Sequence, residues 1–228
     1  MGYIDFVLMC GRFSLTTDEE ILNERFRLAG GAESYVARYN CAPTQMLAVV
    51  PNADPGRISY FRWGLIPFWA KDISIGNKLI NARAETILEK PAFRNAFRTR
   101  RCLVLSDGFF EWKKSGKLKV PYYITLQNHE PFAMAGIWET WEDKIGVSFR
   151  SFSIITTAAN DLMQPLHNRM PVILNPEDEP VWLERNYASG LQALLKPFPS
   201  NRLKAYRVSV LINSPRNDSP DIIVYNLE

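Results

Sequence analysis

Short apolar runs rich in β-branched and aromatic residues, with turn-forming residues between them, make up much of the chain. Such runs are typical of β-strands. The six clearest runs cover residues 46–50, 58–63, 102–105, 122–126, 132–137 and 149–155. They do not alternate regularly with helical segments, which argues against a doubly wound parallel sheet. We therefore predict an α+β fold, a single domain on a mainly antiparallel, barrel-like β core with flanking helices.

Helical signals are fewer and lie between these runs. Thr17-Asp18-Glu19-Glu20 has the form of a capping box with Thr17 as the N-cap, and apolar residues follow it at helical spacing. We expect this helix to end at Gly30-Gly31. Further helices are predicted within residues 85–97, 160–166 and 181–195.

Composition places the chain among ordinary globular proteins, because 46% of its 228 residues are hydrophobic and 22% are charged. The formal net charge of +3 permits a nucleic-acid partner without requiring one. No apolar stretch approaches the ~20 residues of a membrane helix, so we expect no membrane association.

Cysteine and histidine usage argues against a disulfide framework and against a metal site. The three cysteines, Cys10, Cys41 and Cys102, include no C-x-x-C pair, and the only histidines are His129 and His167. We expect no metal, no cofactor and a reducing, cytoplasmic setting.

Cys10 follows Met9, and this pair raises one chemical possibility. If the chain begins at Met9 or is cut there, removal of Met9 leaves Cys10 with a free α-amine beside its thiol. Such a 1,2-aminothiol condenses with an aldehyde to an imine, which the thiol then closes to a thiazolidine. Both nucleophiles titrate near neutral pH, with reference pKa values of about 7.7–8.0 and about 8.5. On position alone, a small buried cysteine in the first strand is the favoured alternative.

Two further segments combine ligand-binding residue types. Phe68 and Trp69, beside glycine and proline, suit either a core or a loop that stacks on bases or wedges between them. Asn81 and Arg83 are two apart on an extended segment, so they point to the same face and suit a sugar-phosphate ligand. Arg12 is a third candidate for a phosphate contact, although a surface arginine is the usual alternative.

Two more segments carry candidate proton-transfer groups. Glu111 lies among aromatic residues, and partial burial would raise its pKa and make it a usable general acid or base. Without further context, an exposed strand carboxylate paired with Lys113 or Lys114 is the favoured alternative. His167 lies in a dense polar motif that also contains Arg169, and histidine is the usual proton shuttle near neutral pH.

Seven motifs, in this order, resemble the SRAP family (SOS-response-associated peptidase). They are MCGRF at 9–13, RYNCAP at 38–43, WGLIP at 63–67, NARAET at 81–86, DGFFEW at 107–112, HNRMP at 167–171 and NSPRND at 213–218. Any one motif is weak evidence, but the set in this order is a strong signal, and the similarity spans residues 9–221.

The resemblance implies a protein that binds abasic sites in single-stranded DNA and links to the ring-opened sugar through a thiazolidine. The family's catalytic residues fall on Cys10, Asn81, Glu111 and His167. The DNA contacts that it implies, together with those suggested by the residue types, are Arg12, Asn40, Pro43, Phe68, Trp69, Arg83, Trp112 and Arg169. The loop after Trp63 matches the family's wedge, which separates strands or stacks on a base.

The implied chemistry assigns a role to each catalytic group. The amine of Cys10 attacks C1 of the open sugar, Glu111 relays protons at that amine, His167 protonates the sugar hydroxyl and Asn81 orients the lesion. The peptidase label implies removal of the residues ahead of the cysteine. We therefore expect residues 1–9 to be a pro-segment or a start-site artefact and residues 10–228 to form the SRAP domain; if residues 1–9 persist, thiazolidine formation is blocked.

Two other functions are compatible with these residues. Cysteine with histidine and asparagine also suits a thiol peptidase acting on other proteins, although no cysteine-protease signature surrounds Cys10. A noncovalent single-stranded DNA binder is the second alternative. We expect a monomer in the cytoplasm, associated with the nucleoid when bound to single-stranded DNA that contains abasic sites.

Overall fold

The computed structural model describes residues 11–30, 35–185 and 190–224. The predicted N-terminal extension (residues 1–9) and Cys10 lie outside these residues. The described strands are β1 (Phe13–Leu15), β2 (Arg38–Cys41), β3 (Met46–Pro51), β4 (Ser59–Trp63), β5 (Asn81–Arg83), β6 (Arg101–Ser106), β7 (Gly108–Ser115), β8 (Leu118–Leu126), β9 (Phe132–Glu142), β10 (Ser148–Ala158), β11 (Arg169–Pro171) and β12 (Leu203–Arg207). All six predicted strands are confirmed.

A closed five-stranded barrel forms the centre of the domain. Its strands follow the order β10-β4-β3-β6-β9, and β9 pairs back with β10 to close it. The β4–β10 pair is parallel, and the other pairs of the barrel are antiparallel. A second, antiparallel sheet has the order β12-β8-β7-β1-β2. The predicted α+β domain with a barrel-like β core is therefore confirmed.

Alternating side chains of the barrel strands enter two different parts of the core. On β3, Leu47 and Val49 belong to the cluster shared with the second sheet, whereas Ala48 and Val50 belong to the cluster beneath the helices. Because both faces of the strand are buried, its sequence is continuously apolar rather than alternating.

Three α-helices lie in the described residues: α1 (Glu19–Phe26), α2 (Arg94–Thr99) and α3 (Glu179–Leu183). The predicted capping box at Thr17 is wrong. The N-cap of α1 is Asp18, and both the N–H and the hydroxyl of Thr17 donate instead to the carboxylate of Asp107, at 2.9 and 3.2 Å. The helix also ends before Gly30, because Arg27 adopts a left-handed conformation with φ of 54°.

The other predicted helices are shorter than expected. Only the end of the 85–97 segment becomes α2, since Pro91 cannot continue a helix from its N-terminal side. Residues 161–166 form turns, and Asn160 accepts a hydrogen bond from the N–H of Met163 at 3.0 Å. The 181–195 segment contributes α3 and a 3₁₀ turn at Leu191–Leu194, with residues 186–189 outside the described part.

Candidate active site and nucleic-acid interface

The last residues of β10 bring two of the predicted motifs together. On one side β5 pairs with β10, so that Asn81 lies opposite Ile154 and Arg83 opposite Thr156. On the other side β11 places Arg169 opposite Ala158. The prediction that Asn81 and Arg83 share a face is confirmed, because Ala82 between them is buried while Asn81 is half-buried and Arg83 is exposed.

His167 is oriented by the backbone of the same motif. Its Nδ1 lies 3.1 Å from the N–H of Arg169, which donates to it. Since Nδ1 accepts this hydrogen bond, the proton of a neutral imidazole is assigned to Nε2. The Nε2–H of the half-buried ring is therefore the donor that His167 can offer to a ligand.

The carboxylate of Glu85 pairs with the guanidinium of Arg169. The sequence did not predict this pair. The two carboxylate oxygens accept from Nη1 and Nη2 at 2.6 and 2.9 Å, and Nη2 also donates to the C=O of Thr156 at 2.6 Å. These hydrogen bonds lower the pKa of Glu85. The one available signal was that Glu85 lies two residues after Arg83 in the same motif. Arg169 is thus held in place by the chain itself, with both terminal nitrogens engaged, and the DNA contact predicted for it stays a prediction.

The segment from Gly64 to Ile80 leaves the barrel between β4 and β5 as a long loop with a tight neck. At the neck, the N–H of Leu65 donates to the C=O of Leu79 at 3.1 Å. Gly64 has φ of 116°, and a Cβ built on it would lie 2.5 Å from the C=O of Gly76. Glycine is therefore required where the two sides of the loop cross.

Phe68 and Trp69 occupy the outer end of this loop. They are the central residues of a turn, hereafter the wedge turn (residues 67–70), in which the N–H of Ala70 donates to the C=O of Pro67 at 2.9 Å. Phe68 is 56% and Trp69 49% exposed. This exposure excludes the core alternative for both rings and leaves their faces available for stacking.

Trp69 lines two open grooves. The first, of about 410 Å³, also contains Asn81, Arg83 and two lysines, Lys78 and Lys90. The second, of about 460 Å³, lies on the side of Lys71 and Ser74. The first groove combines an amide, three cations and an aromatic ring, which are the groups that contact a sugar-phosphate backbone and its bases.

Glu111 lies on β7, where it is only 2% exposed. Lys113 and Lys114 are exposed further along the strand, so the alternative of an exposed carboxylate is wrong. The β1–β7 ladder pairs Phe13 with Phe109, and the N–H of Phe110 donates to the C=O of Arg12 at 3.0 Å. Extended by one residue, this register brings Gly11 alongside Glu111.

Arg12 is a half-buried cation close to the same point. Its Nη1 donates to the C=O of Gly11 at 3.0 Å, and its buried Nε has no hydrogen-bond partner among the described residues. Burial lowers the pKa of this guanidinium, although arginine remains charged at neutral pH. The Nε–H of Arg12, which has no partner among the described residues, would best be matched by an anionic ligand.

Trp63 connects the strand that follows Cys10 to the strand that begins at Asn81. Its ring lies 5.2 Å from the ring of Phe13, and its Nε1–H donates to the C=O of Ile80 at 2.9 Å. Because Trp63 is fully buried, this connection is part of the core rather than of the surface.

Asn40 and Trp112 lie in a different polar region, hereafter the C-terminal clasp, which they form with Asn213 and Asp218. Asn40 is buried, and its Nδ2 donates to the C=O groups of residues 212, 214 and 217 at 3.4, 3.0 and 2.8 Å. Trp112 donates to Asn213 at 2.8 Å, and Asp218 accepts from the N–H of Asn40 at 3.0 Å. These contacts indicate a structural role, and the DNA contacts predicted for Asn40 and Trp112 stay predictions.

Pro43, also a predicted DNA contact, lies half-buried in the turn between β2 and β3. Its neighbour Thr44 has φ of 75°, and the N–H of Thr44 donates to the C=O of Trp63 at 2.9 Å. This hydrogen bond holds the Pro43 turn against the end of β4, where the segment from Gly64 to Ile80 begins.

In the described part of the chain, neither the two other cysteines nor the acidic residues form a second reactive thiol or a metal-binding cluster. Cys41 and Cys102 are buried, and burial raises the pKa of both thiols. Across residues 11–30, 35–185 and 190–224, no group of three His, Cys, Asp or Glu side chains is arranged to hold a metal ion. In the same residues, no helix is both long and apolar enough to cross a membrane.

Comparison with known proteins adds independent information. The family model described as SOS response associated peptidase (SRAP) matches residues 9–215. The chain is 43% identical over 221 residues to Abasic site processing protein YoqW of Bacillus subtilis (strain 168), covering 94% of this chain and 99% of that protein. It is 33% identical over 198 residues to Abasic site processing protein YMR114C of Saccharomyces cerevisiae, covering 83% of this chain and 53% of that protein. A crystal structure of a Bacteroides thetaiotaomicron protein superposes with a TM-score of 0.87 at 32% identity, covering 96% of this chain and 100% of that one.

Proposed function

The chain belongs to the SRAP family, and from this premise we propose that it captures abasic sites in single-stranded DNA through a covalent bond to Cys10. The observation that carries the proposal is the β1–β7 register, because its extension past the hydrogen bond between Phe110 and Arg12 places the backbone of Gly11, the residue after Cys10, opposite that of Glu111. The names of the relatives, abasic site processing proteins, support the substrate class.

The proposed reaction needs only the two nucleophiles of an N-terminal cysteine. The α-amine of Cys10 adds to the C1 aldehyde of the ring-opened deoxyribose, and loss of one water gives an imine. The thiol then adds to the imine carbon, and its proton passes to the nitrogen, which closes the thiazolidine. The adduct therefore has the combined mass of protein and DNA minus one water, and no electrons are transferred.

Glu111 is the proposed proton relay at the amine. An amine attacks only when it is unprotonated, and the first addition leaves a proton on nitrogen that must be removed. A buried carboxylate on β7, the strand that pairs with β1, suits both transfers, because it is shielded from bulk water.

His167 and Asn81 are the proposed contacts to the sugar. The Nε2–H assigned above can donate to the sugar oxygen as the ring opens, because Nδ1 is already engaged with the N–H of Arg169. Asn81 lines the groove next to Trp69 and Arg83, where its amide can hold the opened sugar while the cations bind the flanking phosphates.

Exposure of Cys10 is the second half of the proposal. Hydrolysis of the Met9–Cys10 bond consumes one water and releases residues 1–9, which leaves 10–228 as the working domain. The start of the family match at residue 9 supports this boundary. We propose that the cleavage is autoproteolytic and uses Glu111 to activate the attacking group.

The test compares versions of the chain that begin at Met1 and at Met9, each incubated with single-stranded DNA carrying one abasic site. A heat-stable adduct that is absent from Cys10→Ala is expected, and intact mass shows whether residues 1–9 are lost. No adduct from a sample in which intact mass shows Cys10 to be the first residue would overturn the proposal. DNA binding that survives Cys10→Ala without any adduct would indicate a noncovalent binder, and DNA-independent cleavage of added peptides would indicate a peptidase acting on other proteins.

A further inference from the structure

The hairpin formed by β9 and β10 lies against the wedge turn, and the chemistry proposed above does not use it. The indole Nε1–H of Trp141, on β9, donates to the C=O of Ala70 at 2.7 Å. Ala70 also closes the wedge turn through its own N–H. Ala70, which closes the wedge turn, is therefore hydrogen-bonded directly to a residue of β9.

Trp141 is itself held by its own sheet. It pairs with Phe149 in the antiparallel ladder, and the two ring centroids lie 5.8 Å apart. Beyond this pair, the carboxylate of Asp143 accepts hydrogen bonds from the N–H groups of Ile145 and Val147 at 2.9 and 2.8 Å. These contacts stabilise the hairpin, which can therefore support the wedge turn.

The wedge turn needs such a support for a physical reason. Phe68 and Trp69 are exposed, so core packing does not fix their position. A side chain that unstacks a base step works against a few kcal/mol, and a turn that yields under this load cannot hold the step open. The Trp141 hydrogen bond opposes such yielding at the residue next to Trp69.

We propose that Trp141 is a positioning residue that fixes the wedge turn against β9, and that it determines how well the protein reacts with abasic sites beside duplex DNA. This inference rests on the proposed function. A lesion within an open single strand requires the groups around Cys10 but no strand separation. A lesion next to a base pair requires in addition that Trp69 keep its position.

The test compares Trp141→Phe, which keeps an aromatic ring and removes the N–H, with Ile145→Ser at the tip of the same hairpin, where Ile145 is 85% exposed. Adduct formation is timed on a single strand with a central abasic site and on a strand whose abasic site adjoins a duplex. Loss of one hydrogen bond predicts about a two- to tenfold slower reaction of Trp141→Phe at the junction only. Ile145→Ser should match the wild type on both substrates.

Two further measurements identify the route of the effect. If Trp141 acts through Trp69, then Trp69→Ala and the double variant Trp69→Ala with Trp141→Phe react equally slowly at the junction. Without DNA, the amide of Ala70 should exchange its hydrogen faster in Trp141→Phe. This exchange measurement does not depend on the proposed function.

The outcomes separate the two ideas. Equal junction rates for wild type and Trp141→Phe overturn the inference and leave the proposed function intact. Additive losses in the double variant, or unchanged exchange at Ala70, also overturn it. A wild type that forms no adduct with either DNA overturns the proposed function and the junction effect with it, while the exchange rate still decides whether Trp141 fixes the turn.

Discussion

Asn40 and Asn81 are both asparagines within SRAP-like motifs, but they differ in burial and in the groups that surround them. In the C-terminal clasp, Asn40 is buried and its amide holds three backbone carbonyls of the segment that crosses over it. At the end of β10, Asn81 is half-buried and lines an open groove with Arg83 and Trp69.

The difference shows that a family motif can serve stability or chemistry, and that the direction of its polar groups decides which. A side chain whose donors are used by the chain itself stabilises the fold. A side chain that faces a groove beside cations and an exposed ring is placed for a ligand. The contacts of the clasp therefore stabilise the fold, whereas the groups beside the end of β10 line an open groove, where we propose that the ligand binds.

The largest effect within the reacting region is expected from Glu111→Gln. The amide keeps the shape of the side chain and cannot accept the proton, so crosslinking should slow by about a hundredfold or more. Rates of adduct formation under single-turnover conditions measure this. Glu139→Gln is the matched control, because Glu139 is also buried but pairs with Arg100 at 2.7 Å, outside the proposed site. Equal rates for Glu111→Gln and the control would remove Glu111 from the mechanism.

The next effect is expected from His167→Ala, which removes the Nε2–H donor. Crosslinking should slow by roughly ten- to a hundredfold. The chain supplies its own control in His129, the other histidine, whose ring contacts Lys204 far along the second sheet. His129→Ala should react like the wild type, and a similar loss in both variants would refute a specific role for His167.

The contrast between the two asparagines is tested by measuring stability and crosslinking for an alanine variant of each. Asn40→Ala removes the amide contacts to one buried and two part-buried carbonyls and should lower the free energy of unfolding by about 2 kcal/mol, roughly a thirtyfold change in the unfolding equilibrium. If Asn40 has only the structural role, the crosslinking rate per folded molecule should stay within about twofold of the wild type, whereas loss of the predicted DNA contact would slow it. Asn81→Ala should change stability by less than about 1 kcal/mol and slow crosslinking by roughly tenfold. Denaturant titration and adduct kinetics on the same samples decide; the reverse pattern would break the distinction.

Much of the fold and part of the candidate site could be predicted from the sequence, because they depend on local patterns of residues. The β-rich runs predicted the barrel strands, and the spacing of Asn81 and Arg83 predicted their common face. The capping box at Thr17 failed because Asp107, 90 residues away, takes its hydroxyl and N–H. The pairing of Arg169 with Glu85, 84 residues apart, was missed for the same reason. Contacts between distant parts of the chain follow from strand order, which local patterns do not specify.

The smallest effect is expected from Glu85→Gln. The side chain of Glu85 is 51% exposed, so solvent screens its pair with Arg169, and the stability loss should be below about 0.5 kcal/mol. The pair lowers the pKa of Glu85 in the folded state. Its contribution is therefore present above the unfolded pKa of about 4.3 and is lost as pH falls through the folded pKa. Thermal unfolding across this range should show the wild-type advantage vanish in acid; an advantage that grows in acid would contradict the assigned pair.

The central claim, that Cys10 acts as an aminothiol, is tested most directly by Cys10→Ser in a protein that begins at residue 10. Serine keeps the α-amine and removes the thiol, so it can form the imine but cannot trap it as a thiazolidine. Each protein is incubated with abasic single-stranded DNA, with and without borohydride. The sample is then heated, and the intact mass of the products is measured. The account predicts a heat-stable adduct for Cys10 without reductant, at the combined mass minus one water, and an adduct for Cys10→Ser only after reduction. A heat-stable, unreduced adduct from Cys10→Ser would contradict it.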